Sequence, residues 1–364
     1  MDKLPESLLL EILSRLDNSA DVASCRVASK AFNNVFPHLR SISLLCSCPW
    51  CGTSGSVSPS CFKKVFLDLI SKLRVVESVC IGLHDAIGVD PVDEEFLKEW
   101  LPRVSQTMKS LSLFRLPLNV LPLISKYCRN LVELNLGYGW LSVRNLNPMP
   151  MLTTLTLAHS SLEDQHLNQF NKCFPNLQVL KLVGITGLKD PKIHLLNLQT
   201  CHWTQFHKQP SSLTLITPNL ITLKIECFDS TAIQIEAPML SHFHLSADSL
   251  NVYKHPGAGA FTAQKFENLK TLWLDSFYVG FLLSEFPTTK TLETLILVSR
   301  NKAPRHARDS NLTLGKLFKV FPNVSSLRIN SCAWSELEAC SNPEGWDILD
   351  GRIGLKTIHV RITN

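Results

Sequence analysis

Along most of the chain one short arrangement of apolar positions recurs: apolar-x-x-apolar-x-apolar. The clearest copies are Leu131, Leu134 and Leu136; Leu152, Leu155 and Leu157; Leu177, Leu180 and Leu182; Leu220, Leu223 and Ile225; Leu269, Leu272 and Leu274; and Leu292, Leu295 and Leu297. Weaker copies centre on Ile42, Val79, Leu111, Leu196, Phe243, Leu327 and Ile358. The last two apolar positions of each copy are two apart, so each copy predicts a short strand with one apolar side. From Val79 to Ile358, 12 copies share 279 residues, about 25 residues per repeat.

Turns tend to precede these strands. Pro175-Asn176, Pro218-Asn219, Pro238-Met239 and Pro322-Asn323 stand just before the first apolar position, and Asn130 and Asn268 mark relatives without Pro. Pro ends the preceding segment and biases its neighbour towards extended geometry. Between strands, 94–101, 162–170 and 314–321 carry apolar residues three and four apart and predict helices. The stretches 208–217 and 231–238 read as loops or extended returns, and 201–207 as an irregular repeat edge. One such unit cannot close its own core, so the units must stack, strand beside strand.

The first three dozen residues follow a different period. Pro5 suits the first turn of a helix, and Leu8, Leu9, Ile12, Leu13 and Leu16 form a helical stripe. Ser19 can cap a second helix to Val27, and residues 29–35 predict a third turn that ends by Pro37. Three helices this short bury too little to stand alone.

Alternation also assigns the outward side of each strand. That side is expected to carry Glu133 and Asn135, Thr154 and Thr156, Lys181, Asn197, Lys224 and Glu226, His242 and His244, Trp273 and Asp275, and Arg328 and Asn330. Charges of both signs around one large aromatic suit protein recognition. The expected centre is Trp273, with Lys224, His244 and Arg328 around it. The alternative is that Trp273 packs against a neighbouring loop.

Composition narrows the class. At 364 residues, 45% hydrophobic and 18% charged, the chain can bury a large core. A formal charge of +5 is too weak to imply nucleic acid without a clustered patch. No basic stretch precedes an apolar one at the N-terminus, and no apolar run reaches membrane-spanning length. The expectation is a cytoplasmic or nuclear protein, with its 12 cysteines reduced.

The N-terminal residues carry a resemblance. Leu4-Pro5, Leu8, Ile12-Leu13-Ser14 and Leu16, followed by Cys25-Arg26-Val27-Ala28-Ser29-Lys30-Ala31-Phe32, resemble an F-box, with Phe32 where that family often has Trp. With the repeats behind it, the whole chain resembles the plant F-box/leucine-rich-repeat proteins. The resemblance implies an α/β repeat fold: a three-helix F-box, then an irregular leucine-rich-repeat solenoid with a parallel concave sheet. The implied domains are an F-box at 1–38, a linker and first cap with a Cys/Ser/Gly-rich insert at 39–75, and repeats at 76–364. The implied function is the non-catalytic substrate receptor of an Skp–cullin–F-box ubiquitin ligase. Its partners are the Skp adaptor, through it the cullin, and a target protein, with neither membrane nor nucleic acid. Leu4, Pro5, Leu8, Ile12, Leu13 and Leu16 are the expected apolar anchors, with Cys25, Val27, Ser29 and Phe32 at or near that contact. Two alternatives share the architecture: a ligand-dependent hormone co-receptor, and a repeat scaffold outside any ligase.

Candidate chemistry adds little. Cys46, Cys48, Cys51 and Cys61 could supply a tetrahedral zinc site, and Cys48 with Cys51 has redox-pair spacing; the other reading is a flexible insert. His242 and His244 could share a metal, but no third ligand stands nearby. The basic run Arg300–Arg308 could meet a phosphate or line a solvated loop. No phosphate loop, dinucleotide fingerprint, nucleophile elbow or zinc-protease motif occurs. No cofactor is expected.

Overall fold

The computed structural model of the chain describes residues 4–16, 19–47, 59–84, 93–115, 120–206, 210–227, 232–247, 261–263, 266–277, 279–300, 313–340 and 357–361. Pro5 caps helix α1 (Glu6–Ser14), and its carbonyl accepts the N–H groups of Leu8 and Leu9 at 3.0 and 3.1 Å. Helices α2 (Ser19–Ala28) and α3 (Lys30–Val35) follow, then a 3-10 turn at Phe36–His38. Helix α3 packs on both α1 and α2. Leu9, Leu13, Val22, Phe32, Val35 and Phe36 are buried there, and the Arg26 guanidinium lies 4.0 Å from the centre of the Phe36 ring. The buried Ser19 hydroxyl accepts the Ser43 N–H at 3.0 Å, which ties the helices to the strand that comes next.

Contacts divide the chain into two compact units, 1–162 with 172–177, and 163–171 with 178–364. In the first, strands alternate with helices: β1 (Ser41–Ser47), α4 (Pro59–Ser71), β2 (Ser78–His84), α5 (Glu94–Val104), β3 (Ser110–Phe114), α6 (Val120–Tyr127), β4 (Glu133–Gly137) and β5 (Thr154–Ala158). The five strands pair in parallel in chain order. The segment expected as linker and first cap therefore supplies an edge strand and a helix of this array. Registered inward rows run Ile42, Val79, Leu111, Leu134, Leu155 and Leu44, Ile81, Leu113, Leu136, Leu157, all buried. Each such side chain contributes about 1.5–3 kcal/mol. Between α4 and α5, Phe66 meets Phe96 and Trp100 edge to face, with ring centroids 5.3 and 5.1 Å away. The Asp93 carboxylate caps α5 by accepting the Phe96 N–H at 2.7 Å and also pairs with Lys63.

Strands β3, β4 and β5 are each followed by a residue in left-handed backbone: Arg115 (φ 62°), Tyr138 (φ 58°) and His159 (φ 49°). Such positions cost about 1–3 kcal/mol when not glycine. They turn the chain off the sheet while still serving it: Arg115 and Tyr138 donate their N–H groups to Gly137 and Ala158 carbonyls at 2.8 and 2.9 Å.

Two short helices, α7 (Asp164–Leu167) and α8 (Phe170–Cys173), lead into the strands of the second unit. These are β6 (Val179–Val183), β7 (Lys192–His194), β8 (Thr200–Thr204), β9 (Ser212–Ile216), β10 (Thr222–Cys227), β11 (Ala232–Glu236), β12 (His242–Ala247), β13 (Phe261–Ala263) and β14 (Thr271–Ser276). Helix α9 (Val279–Glu285), β15 (Thr294–Ser299), α10 (Leu314–Val320), β16 (Ser326–Asn330), α11 (Ser331–Cys340) and β17 (Thr357–Arg361) complete it. The main sheet is parallel in the order β6-β8-β10-β12-β14-β15-β16-β17, and β13-β11-β9-β7 form a second parallel sheet.

The two sheets decide one expectation and correct another. Residues 212–216 and 232–236 are extended returns, one of the two readings of these stretches, and Leu213, Leu215, Ile233 and Ile235 alternate and are buried in them. Residues 200–204 are a central strand rather than a repeat edge. Cys201 and Trp203 carry its inward side, and Leu196, the expected centre of that repeat, is 47% exposed. Asn197 therefore lies in the preceding turn, and His202 takes the outward position.

The turn asparagines have a shared task. Asn130, Asn176, Asn219, Asn268 and Asn323 donate their side-chain amides to the carbonyls of Gln106, Pro150, Leu196, Pro238 and Lys290 at 2.8–3.0 Å. Each bond reaches back to the turn of the preceding repeat and contributes about 1 kcal/mol.

Candidate functional site

Helix α1 has two apolar stripes. Leu9 and Leu13 face inward at 2% and 1% exposure, whereas Leu4, Leu8 and Ile12 face out at 42%, 46% and 40%. Leu8 and Ile12, four apart, share one helical face, and Leu4 stands just before the helix to extend the strip. Pro5 is exposed beside them and Leu16 and Cys25 are half-buried. Val27, at 91% exposure, has almost no cover. The Ser29 hydroxyl is buried with no hydrogen-bond partner among the described residues. Two expected contact residues need correction. Leu13 and Phe32 are core residues, because α1 and α2 both close on α3, and they can only hold the exposed strip in place.

The second candidate surface is the outward side of the main sheet in the second unit. Parallel registry lines up Lys181, His202, Lys224, His244, Trp273, Ile296, Arg328 and His359 in one row, one residue per strand. The row beyond it reads Val183, Thr204, Glu226, Ser246, Asp275 and Val298. The acids in that row are already held. Glu226 takes Lys224 at 2.8 Å and the Thr204 hydroxyl at 2.9 Å. Burial works to raise the Glu226 pKa, but these donors more than offset it and keep the carboxyl below its ordinary range. Asp275 accepts Arg300 through both carboxylate oxygens, at 2.7 and 3.1 Å, and the same guanidinium reaches the Ser246 hydroxyl.

Trp273 faces outward at 39% exposure and stacks on His244, with ring centroids 4.4 Å apart and planes 16° from parallel. Burial pushes His244 below the ordinary imidazole value, with Lys224 adding to the effect; burial and Lys181 do the same to His202. Beside Trp273, a pocket of about 400 Å³ is lined by Ile296, Leu297, Val298, Arg328, Ile329, Asn330 and His359. Its apolar wall and cationic rim can take an apolar side chain next to an acid.

The expected face residues Lys181, Lys224, Glu226, His244, Trp273, Asp275 and Arg328 thus fall on one side of one sheet. His242 lies two residues before His244 on the same strand, in an outward row with Thr200, Thr222, Thr271 and Thr294. Glu133, with Asn135, Thr154 and Thr156, belongs to the first unit. Asn330 is committed to structure: its amide donates to the Ser299 carbonyl at 2.7 Å and accepts from Ser299 N–H and Ala333 N–H, both at 3.0 Å. His202, Ile296, Arg300 and His359 are participants that the expected face did not include. Flanking inward pairs, Cys201 with Trp203 and Ile358 with Val360, were the available signal for His202 and His359.

Among the described residues no cluster of His, Cys, Asp or Glu could hold a metal. Cys48 and Cys51, the side chains of Cys46 and Cys61, and the run 301–308 lie outside them. Burial pushes the thiols of Cys128 and Cys201 up to about 12, so neither is a nucleophile at neutral pH. No described helix is long and apolar enough to cross a membrane.

The two surfaces define an α/β repeat protein led by a small helical unit with an uncovered apolar strip. A curated Arabidopsis thaliana protein, F-box/LRR-repeat protein At4g29420, is 34% identical over 385 aligned residues, covering 100% of this chain and 84% of its own length. A second, F-box protein At1g10780 of Arabidopsis thaliana, is 24% identical over 62% of this chain and 54% of its own length. No protein-family model matches the chain. The chain belongs to the plant F-box/LRR-repeat protein family.

Proposed function

We propose that this chain is the substrate-receptor subunit of an Skp–cullin–F-box ubiquitin ligase, with 1–38 as the F-box and the strands behind it as the target-binding array. The observation that carries the reading is the doubly apolar helix α1. Leu9 and Leu13 already satisfy the fold, so Leu4, Leu8 and Ile12 are left exposed without a structural role. A strip of this spacing fits helix-in-groove docking on the adaptor, with Pro5, Leu16, Cys25, Val27 and Ser29 at its margin. Membership of a family named for its F-box supports the same assignment.

The subunit makes and breaks no bonds itself. It holds a target so that the target's lysines stay at high effective concentration near the charged ubiquitin carrier. The face residues that would hold the target are Lys181, Lys224, Glu226, His242, His244, Trp273, Asp275 and Arg328. The test is co-purification. Leu8→Asp with Ile12→Asp places two charges in the strip without touching Leu9 or Leu13, so the adaptor is expected to be lost while the repeats stay folded. Undiminished adaptor binding by this double variant would sink the assignment.

A further inference from the structure

We propose that the outward row of the second unit binds an extended acidic segment of the target, seating one apolar side chain beside Trp273 and Ile296, with carboxylates met by Arg328 and Lys181. The proposal rests on the substrate-receptor reading and adds the chemistry of what is received.

Charge is the first argument. Among the described side chains the face carries four full cations, and two of them are already matched: Lys224 to Glu226 and Arg300 to Asp275. Lys181 and Arg328 have no hydrogen-bond or ion-pair partner among the described residues. The surplus is positive and sits on either side of the aromatic centre. The imidazoles between them add N–H donors without adding charge at neutral pH.

Spacing is the second. Strands lie about 4.8 Å apart, so Lys181 and Arg328, six strand steps from each other, are separated by about 29 Å. No single compact anion bridges that distance, whereas an extended peptide at about 3.4 Å per residue covers it in eight or nine residues. From the Trp273–Ile296 seat, Arg328 is about two peptide residues away and Lys181 about six. Two cations over this span, with Glu226 and Asp275 beside the row, are too sparse for a phosphate backbone, which needs a cation at most of its contacts. The target segment is therefore a protein strand with an apolar anchor, an acid about two residues to one side and another about six to the other.

The probe is a fluorescein-labelled synthetic peptide with glutamate at its first and ninth positions and leucine at its seventh, in a Gly/Ala/Ser background, together with the reversed sequence. Fluorescence anisotropy on the purified full chain with its adaptor should show saturable binding of one orientation. Replacing both glutamates with glutamine should weaken it at least tenfold. Lys181→Glu, Arg328→Glu and Trp273→Ala should each do the same at unchanged melting temperature, and a peptide with lysine at the first position should regain binding to Lys181→Glu. Equal affinity for the glutamine peptide overturns the proposal. So does absence of binding to a chain that still melts cooperatively, or equal affinity for an oligothymidylate of matching length. The Leu8→Asp, Ile12→Asp variant should bind the peptide normally, so loss of the adaptor and loss of the peptide fail independently.

Discussion

In the first unit the middle outward row of the sheet reads Ser43, Cys80, Ser112, Asn135, Thr156; in the second it reads Lys181, His202, Lys224, His244, Trp273, Ile296, Arg328, His359. The inward rows do not differ in this way. Both are mainly Leu, Ile and Val, with Cys201, Trp203 and Phe243 added in the second unit, and both are buried apart from Ile358 and Val360 on the last strand, β17. Stacking thus constrains one side of each strand and leaves the other open to variation. The first unit fills this middle row with small neutral groups. The second fills it with long side chains, several paired to one another at an entropic cost of up to about 2 kcal/mol each on ordering. Such an arrangement adds little to stability and is in keeping with the recognition role proposed above.

The comparison can be broken at its shared element. Leu134→Ala in the first unit and Leu223→Ala in the second remove equivalent inward side chains, each fully buried. Both should cost about 2–5 kcal/mol through lost burial and the cavity left behind. Denaturant titration with hydrogen exchange read separately in β4 and β10 checks this; a loss in one unit three times that in the other would show that the repeats do not share one core plan.

Arg300→Ala tests the opposite side, where the units should differ. It leaves Asp275 part-buried without its bidentate partner, and the second unit should lose about 1–3 kcal/mol. Thr156→Ala, on the first unit's open side, should stay within about 0.5 kcal/mol. If Asp275→Asn combined with Arg300→Ala is no better than Arg300→Ala alone, the pair is not what the guanidinium supports.

Asn219→Ala is a smaller change of the same kind. Its amide bond to the Leu196 carbonyl joins successive turns, and losing it should cost about 1 kcal/mol by thermal or denaturant unfolding. Asn130→Ala should cost as much in the first unit, because the ladder belongs to both.

Much of this was legible in the chain. The Leu-x-x-Leu-x-Leu copies located most of the main strands, because period-two alternation is imposed directly by burial. The turn asparagines were visible, though their backward bonds were not. The return strands β9 and β11 were read as loops or extended returns because two inward leucines or isoleucines in five residues are a weak signal without a neighbouring strand to pair with. Asn197 was misplaced because Leu196 imitates an inward position, and only the sheet shows that Cys201 and Trp203 fill the layer instead. In the helical unit, the hydrophobic stripe of α1 could not be divided between core and surface from spacing alone. Leu9 and Leu13 sit only one residue from Leu8 and Ile12, and the packing of α3 decides which pair is covered. The pairing of Arg300 with Asp275 joins residues 25 apart and has no local signature.

Titration gives the least perturbing probe of the difference between the two rows. Burial lowers the pKa of His202 and His244 below the ordinary 6.5, aided at His202 by Lys181 and Lys224 and at His244 by Lys224 and Arg300. Glu226 opposes the shift at both, and Asp275 at His244. At high pH the imidazoles are neutral whether the chain is folded or unfolded, and they contribute nothing to the pH dependence. As pH falls through 6.5 the unfolded chain takes up protons that the folded second unit refuses, so its stability declines until the lowered folded values are passed. Glu226 shifts the other way: its contribution is complete above the ordinary carboxylate value of 4.5 and is lost only below it. Between those limits the acid loss in the main sheet of the second unit should therefore come mainly from the two imidazoles. Exchange protection of β10 and β12 amides, corrected for intrinsic rate, should fall between pH 7.5 and 5.5, and His202→Gln with His244→Gln should flatten that fall. The middle outward row of the first unit contains no imidazole, so protection of β3 and β4 should hold steady; an equal fall there would place the proton uptake elsewhere. A bound acidic peptide brings negative charge to the same imidazoles and should reverse the trend, tightening its own binding as pH drops.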